Sequence, residues 1–136
     1  MIYLDSSVLL ELYLGQPKAN QAREILERPD AKIASWLLLV EVPIVLRRAL
    51  HGAEHRELLM ACFDRLDEDV QQIGLVDALT DVAIRIRSDH RFAQCRSLDA
   101  IHACTALLLR EWTGRAVRLE TFDDRLARLA SELDLR

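Results

Sequence analysis

Glycine, proline and long apolar runs are scarce in this sequence. Its 136 residues include four glycines and three prolines, so we expect a compact chain with short turns and no flexible linker. No apolar run reaches the roughly 20 residues that a membrane-spanning helix needs. The first residues carry no basic segment of the kind that begins a secretory signal. We therefore expect one domain over residues 1–136, in the cytoplasm and without a membrane partner.

Cysteine, lysine and aromatic residues are also few. The three cysteines (Cys62, Cys95 and Cys104) have no C-x-x-C spacing, which argues against a zinc site and favours free thiols in a reducing compartment. Basic residues number 18, nearly all of them arginine, against 22 acidic ones, for a net charge of −4. Bulk positive charge therefore cannot hold a nucleic acid, and with 5% aromatic residues there is little to stack on bases.

Apolar residues are plentiful, and their spacing predicts strands that alternate with helices. The hydrophobic fraction is 51% and the charged fraction 29%, enough for a folded core. The pattern predicts strands at residues 2–4, 32–34, 70–75 and 116–119 and helices at 8–14, 19–26, 36–50, 53–66, 76–87, 97–112 and 123–133. This order is typical of an α/β fold with a mostly parallel sheet and helices on both faces. Ligands of such folds bind at the carboxyl ends of the strands.

Four acidic residues stand where ordinary solvated charges are not expected. Asp5 directly follows the first predicted strand, and Asp123 lies between the last strand and the last helix. Glu41 and Asp99 lie within two nearly all-apolar helices. Taken singly, the aspartates could simply cap helices, and Glu41 could pair with a neighbouring arginine. Taken together, the four point to one edge of an α/β fold.

Grouped carboxylates need a cation. Two of them about 4 Å apart repel by about 4 kcal/mol at an effective dielectric constant of about 20, and no lysine is near any of the four in sequence. Oxygen ligands select Mg²⁺ or Mn²⁺ over zinc. Such an ion binds phosphate oxygens and acidifies a water molecule, so the pattern indicates hydrolysis of a phosphate ester or phosphodiester.

The four acids also lie in stretches with a recognisable order, namely residues 2–10 (IYLDSSVLL), 38–42 (LLVEV), 98–106 (LDAIHACTA) and 121–126 (TFDDRL). Together these stretches resemble the PIN-domain family, and most closely its VapC-type toxin ribonucleases. The resemblance covers nearly the whole chain. It implies a three-layer sandwich in which a short, mostly parallel sheet of four or five strands is flanked by about seven helices.

The resemblance also implies a function and roles for particular residues. It implies a Mg²⁺- or Mn²⁺-dependent endoribonuclease that acts on RNA as the toxin of a toxin–antitoxin pair, forms a homodimer and is neutralised by an antitoxin protein. Asp5, Glu41, Asp99 and Asp123 fall on the family's acidic metal-site positions. The supporting positions are taken by Ser6 and Thr121, with Asp124 as a spare ligand or a first-turn acid.

Two further sets of residues bear on this prediction. Arg85, Arg87, Arg91 and Arg96 surround a single acid, Asp89, and form either a solvated helix end or a rim that contacts RNA phosphates. His102 lies one helical turn after Asp99, where a hydrogen-bonded packing role is expected rather than a metal ligand.

Two features of the sequence depart from the family pattern, and two alternative functions stay open. Pro43 should kink its helix or shift its start, and the three residues after Leu133 leave little room for a final edge strand.

A metal-dependent phosphatase with an aspartyl nucleophile would need a second Asp two residues after Asp5, where this sequence has Ser7. A binding module with the same fold and no nuclease activity is the other alternative.

Overall fold

A computed structural model describes all residues from Met1 to Arg136. The four strands are β1 (Ile2–Leu4), β2 (Lys32–Ser35), β3 (Gly74–Val76) and β4 (Arg118–Glu120). The seven helices are α1 (Ser6–Tyr13), α2 (Ala19–Glu27), α3 (Leu38–Ala49), α4 (Arg56–Val70), α5 (Leu79–Ser88), α6 (Ser97–Thr113) and α7 (Asp124–Glu132). Short 3₁₀ turns precede α4 and α6. The prediction of an α/β fold with a short sheet and about seven helices is confirmed.

The strands form one sheet in the order β3-β2-β1-β4, and every neighbouring pair is parallel. The register places Tyr3 opposite Ile33 on one side and Leu119 on the other. Because all strands run the same way, their carboxyl ends meet at a single edge. The residues that follow β1 and β4 are thereby brought together at this edge.

Alternation along β1 divides the core between the two faces of the sheet. Ile2 and Leu4 pack into one apolar cluster with side chains of α1, α2, α3 and α4. Tyr3 packs into the other cluster, with α5, α6 and α7. Successive residues of a strand point to opposite faces, so β1 must be apolar throughout, and all three of its residues are fully buried. The result is a sheet between two layers of helices.

Most predicted boundaries hold within two residues, and the exceptions are the start of β3, both ends of α4 and the start of α5. Residues 70–75 were expected to form this strand, but Val70 ends α4 and the strand begins at Gly74. Leu66 and Cys62 keep α4 on the core, so helical packing overrides the short apolar run around Val70. α5 begins late for a local reason, because the Asp77 carboxylate accepts a hydrogen bond from the Leu79 N–H (3.2 Å).

The two departures noted in the sequence have modest effects. α3 continues through Pro43 and begins at Leu38, two residues later than predicted. No strand follows β4, although the Leu119 N–H donates to the carbonyl of Leu135 (2.6 Å) and ties the chain end to the sheet. No helix combines the length and the apolar character needed to cross a membrane.

Candidate metal centre

Asp5 is the best-anchored acid of the site. It caps the N-terminus of α1 directly after β1 and is almost fully buried. Its Oδ2 accepts hydrogen bonds from the Ser7 hydroxyl (2.5 Å), the Thr121 hydroxyl (2.8 Å) and the Ser7 N–H (3.3 Å). Its Oδ1 takes no part in these bonds. One oxygen therefore fixes the carboxylate, and the other is left for the site.

Ser7 and Thr121 connect the ends of the neighbouring strands β1 and β4. The Ser7 hydroxyl accepts a hydrogen bond from the Phe122 N–H (2.9 Å), and that of Thr121 accepts one from the Asp123 N–H (3.0 Å). Each hydroxyl thus donates to Asp5 and accepts from the loop after β4. Thr121 contacts Asp5 directly. Ser6 is buried, and the serine that contacts Asp5 is Ser7.

Glu41, on α3, lies near Asp5 and contacts His102 of α6. The His102 Nε2 lies 2.9 Å from Glu41 Oε2 and 3.7 Å from Asp5 Oδ1. One ligand atom from each of these three side chains lies within 4.8 Å of the others. Pro43 has therefore not turned Glu41 away from the site. His102, for which a hydrogen-bonded packing role was expected, lies between two of the acids.

Asp99 is a half-buried acid without an ion pair or a side-chain hydrogen bond. It lies one turn before His102 on α6. Burial raises the pKa of its carboxyl, and the negative charges of Asp123 and Asp5 raise it further, with Arg96 acting against them. A carboxylate in this position would be stabilised in its charged form by a cation.

Asp123 is the exposed N-cap of α7. Its Oδ1 accepts hydrogen bonds from the backbone N–H groups of Arg125 (2.7 Å) and Leu126 (3.1 Å) at the start of α7. The Leu126 N–H lowers the pKa of this carboxyl most, so Asp123 stays ionised. Its second oxygen does not cap the helix. Asp124 instead lines another cleft, together with Lys18 and Arg28.

The donor set fits a hard divalent ion. Asp5, Glu41 and Asp123 each use one oxygen to hold their position and leave the other, and Asp99 leaves both. Carboxylate oxygens are the ligands that Mg²⁺ and Mn²⁺ prefer, whereas the cysteines that would favour zinc are absent from the group.

A cleft of about 360 Å³ adjoins Asp99, and arginines dominate its wall. Arg91 and Arg96, two of the four arginines of the predicted rim, line it together with Arg125 and Arg128 of α7. The other two do not line it: Arg85 pairs with Glu111, and Arg87 is exposed elsewhere. Arg91 is held by Asp89 (2.6 Å), so the other three arginines supply most of the free positive charge.

Comparison with known proteins identifies the family. The model of the PIN domain family matches residues 2–132. The chain belongs to the PIN-domain family. A curated relative is Ribonuclease VapC46 of Mycobacterium tuberculosis (strain ATCC 25618 / H37Rv), which is 29% identical over 135 residues, 98% of this chain and 93% of that protein. The resemblance seen in the sequence is thereby confirmed.

Four contributors to this PIN site were missed in the sequence, and each had a local signal. Tyr3 precedes Asp5 by two residues, so the period of a strand places both on one face. Ser7 follows Asp5 at the spacing of an N-cap contact. Arg125 and Arg128 are three residues apart on α7 and therefore share one helix face.

Proposed function

We propose that this protein is a Mg²⁺- or Mn²⁺-dependent endoribonuclease and the toxin of a toxin–antitoxin pair. The observation that carries the proposal is the convergence of Asp5, Glu41 and His102 at the carboxyl edge of the sheet. Asp99 and Asp123 lie outside this close group, but the charges of Asp5 and Asp123 raise the pKa of Asp99. The relative named a ribonuclease supports RNA as the substrate.

In this proposal Asp5, Glu41, Asp99 and Asp123 would hold the ion, and Thr121 would orient Asp5. When bound, the ion withdraws charge from the phosphate and acidifies water. Hydrolysis adds the oxygen of a water molecule to phosphorus, breaks a P–O bond and leaves a proton on the departing ribose oxygen. The arginine cleft would bind the neighbouring phosphates, so that RNA is attracted locally in spite of the net charge of −4.

The phosphatase alternative is weaker in this geometry. An aspartyl nucleophile of this kind needs a general acid two residues further on. Here that residue is Ser7, whose hydroxyl donates to Asp5 itself (2.5 Å).

The proposal also includes two protein partners, an antitoxin and a second copy of the chain. A contiguous patch of exposed apolar side chains supports a protein interface, because large patches of this kind are uncommon on the surface of a protein without partners. Trp36, Val40 and Leu79 line a mostly apolar cleft of about 330 Å³ together with Ile101, and the first three are more than half exposed.

Magnesium should stabilise the folded protein. A ligand present at 100 times its Kd adds about 2.7 kcal/mol, which is a rise in Tm of roughly 10 °C for a chain of this size. The measurement is thermal unfolding of the EDTA-treated protein in increasing MgCl₂ or MnCl₂, with an RNA cleavage assay in the same buffers. Cleavage should stop in EDTA and return with the metal.

NaCl at matched ionic strength is the control, because screening alone would also relieve repulsion among the acids. A Tm that rises equally with sodium, or cleavage that survives EDTA, would contradict the proposed metal site.

The arginine cleft should determine how RNA binding responds to salt. Each phosphate contact to a single strand contributes about 0.7 to the slope of log K against log salt, so replacing Arg125 and Arg128 with alanine should lower that slope by about 1.4. Binding is measured by fluorescence anisotropy with the cleavage-deficient Asp5→Asn protein as the background.

A matched pair, Arg56→Ala and Arg115→Ala, removes the same charge from exposed positions outside the cleft. If both double variants lower the slope equally, net charge rather than the cleft accounts for RNA binding.

A further inference from the structure

A chain of buried hydrogen bonds runs from the core of the sheet into the site. The Tyr3 hydroxyl lies 2.9 Å from His102 Nδ1, and His102 Nε2 lies 2.9 Å from Glu41 Oε2. Tyr3 is fully buried, and the His102 side chain is 3% exposed. Both nitrogens of the imidazole are therefore engaged by protein groups and shielded from water.

The partners determine where the imidazole carries its proton. An ionised carboxylate only accepts hydrogen bonds, so the Nε2 that contacts Glu41 must be the N–H. Nδ1 then meets the Tyr3 hydroxyl, as an acceptor in the neutral ring or as a donor in the charged ring. In both states the Nε2 proton points toward Glu41 and Asp5, and no lone pair at Nε2 is left for a metal.

We propose that His102 is a positioning residue whose Nε2–H holds the Glu41 carboxylate, with its ring fixed by the Tyr3 hydroxyl, and that it is not itself a ligand of the ion. This rests on the proposed function, in which Glu41 and Asp5 are ligands. Groups that orient metal ligands from behind contribute to metal affinity and activity. Here the orienting chain begins at Tyr3, which was not expected to take part in the site.

Removing the Tyr3 hydroxyl should weaken catalysis more than it weakens RNA binding. Loss of a group that orients a metal ligand commonly costs 10-fold to 100-fold in activity or metal affinity, so Tyr3→Phe should lower kcat about 10-fold and leave the KM for RNA within about two-fold. The control is Tyr13→Phe, which also deletes a hydrogen-bonded hydroxyl, in this case one that donates to Asp69 (2.8 Å) away from the site. It should retain the kcat of the wild type.

Two replacements of His102 separate donation from packing. His102→Gln keeps an N–H donor at about the position of Nε2, and His102→Leu keeps only the bulk. We expect His102→Gln to retain more than ten times the activity of His102→Leu and to require less Mg²⁺ for half-maximal rise in Tm. Equal activity and equal Mg²⁺ requirement of the two folded variants would overturn the positioning role.

Nitrogen-15 NMR of the His102 ring tests the proton directly and without turnover. The metal-free protein should show a proton on Nε2, and this proton should persist at saturating Mg²⁺. Its loss as Mg²⁺ binds would overturn the proposal and make His102 a ligand. A wild type with no response to Mg²⁺ in Tm or cleavage would instead remove the proposed function, whereas an active wild type with an unchanged Tyr3→Phe variant would overturn this inference alone.

Discussion

The Asp5→Asn protein should fold normally and lose RNA cleavage by about 1000-fold, the effect of removing about 4 kcal/mol of transition-state stabilisation. An asparagine side-chain oxygen can still accept the hydrogen bonds of Ser7 and Thr121, so the cap of α1 is preserved. The oxygen that faces the site becomes an uncharged amide nitrogen, which cannot bind a cation. Cleavage is followed on a labelled RNA with saturating Mg²⁺, and folding by circular dichroism.

Asp77→Asn is a closely matched control. Asp77 follows the parallel strand β3 as Asp5 follows β1, and its carboxylate also accepts from the backbone N–H two residues on, that of Leu79 (3.2 Å). It lies outside the acidic group. Asp77→Asn should cleave RNA like the wild type. An Asp5→Asn protein that unfolds, or that keeps its activity, would leave Asp5 with the structural role of a cap.

The parts of the fold that follow from short sequence patterns were predictable. Residues 2–4 form a strand because three apolar residues precede an aspartate that caps a helix, and both features are local. The parallel order then places Asp5 and the residues after β4 at one edge without further information. The end of α4 was not predictable in this way, since the choice between helix and strand at Val70 depends on packing of Leu66 in the tertiary structure.

The other residues of the site were harder to predict from the sequence than its acids. Carboxylates in apolar helices stand out in a sequence, which is how Glu41 and Asp99 were found. For His102 a hydrogen-bonded packing role was expected, because a histidine on an apolar face is compatible with packing, and its contact with Glu41 depends on how α3 and α6 approach each other. For the same reason, the sequence placed the rim arginines near Asp89 and missed Arg128, which only the packing of α7 on α6 brings to the cleft.

Asp99→Asn should lower RNA cleavage by about 100-fold and at the same time stabilise the metal-free protein. The loss of activity follows from the loss of a charged ligand. It is measured, as for Asp5→Asn, by cleavage of a labelled RNA with saturating Mg²⁺. The gain in stability follows from the raised pKa of Asp99, because burial and the charges of Asp123 and Asp5 make its ionised form unfavourable in the folded state. Thermal unfolding in EDTA at neutral pH measures this gain.

The pH dependence has a definite sign. A carboxyl whose pKa is higher in the folded than in the unfolded state costs stability as the pH rises above its unfolded value of about 3.9. The metal-free wild type should therefore lose stability between about pH 4 and the raised pKa of Asp99, and Asp99→Asn should lose less. Asp123, whose pKa is lowered, stabilises the fold above about pH 4 and loses this contribution only at lower pH, so the two windows do not overlap.

Asp123→Asn is the contrasting variant, because it should change the stability of the metal-free protein in the opposite direction to Asp99→Asn. It removes a charged cap from α7, whose N–H groups favour a carboxylate, so the metal-free protein should become less stable while cleavage also falls. Asp99 lies in the first turn of α6, where the helix dipole alone would favour its charge. If Asp99→Asn also destabilises the metal-free protein, the helix dipole outweighs the repulsion from Asp5 and Asp123. That result would contradict a site in which charge repulsion among the acids is relieved by a bound ion.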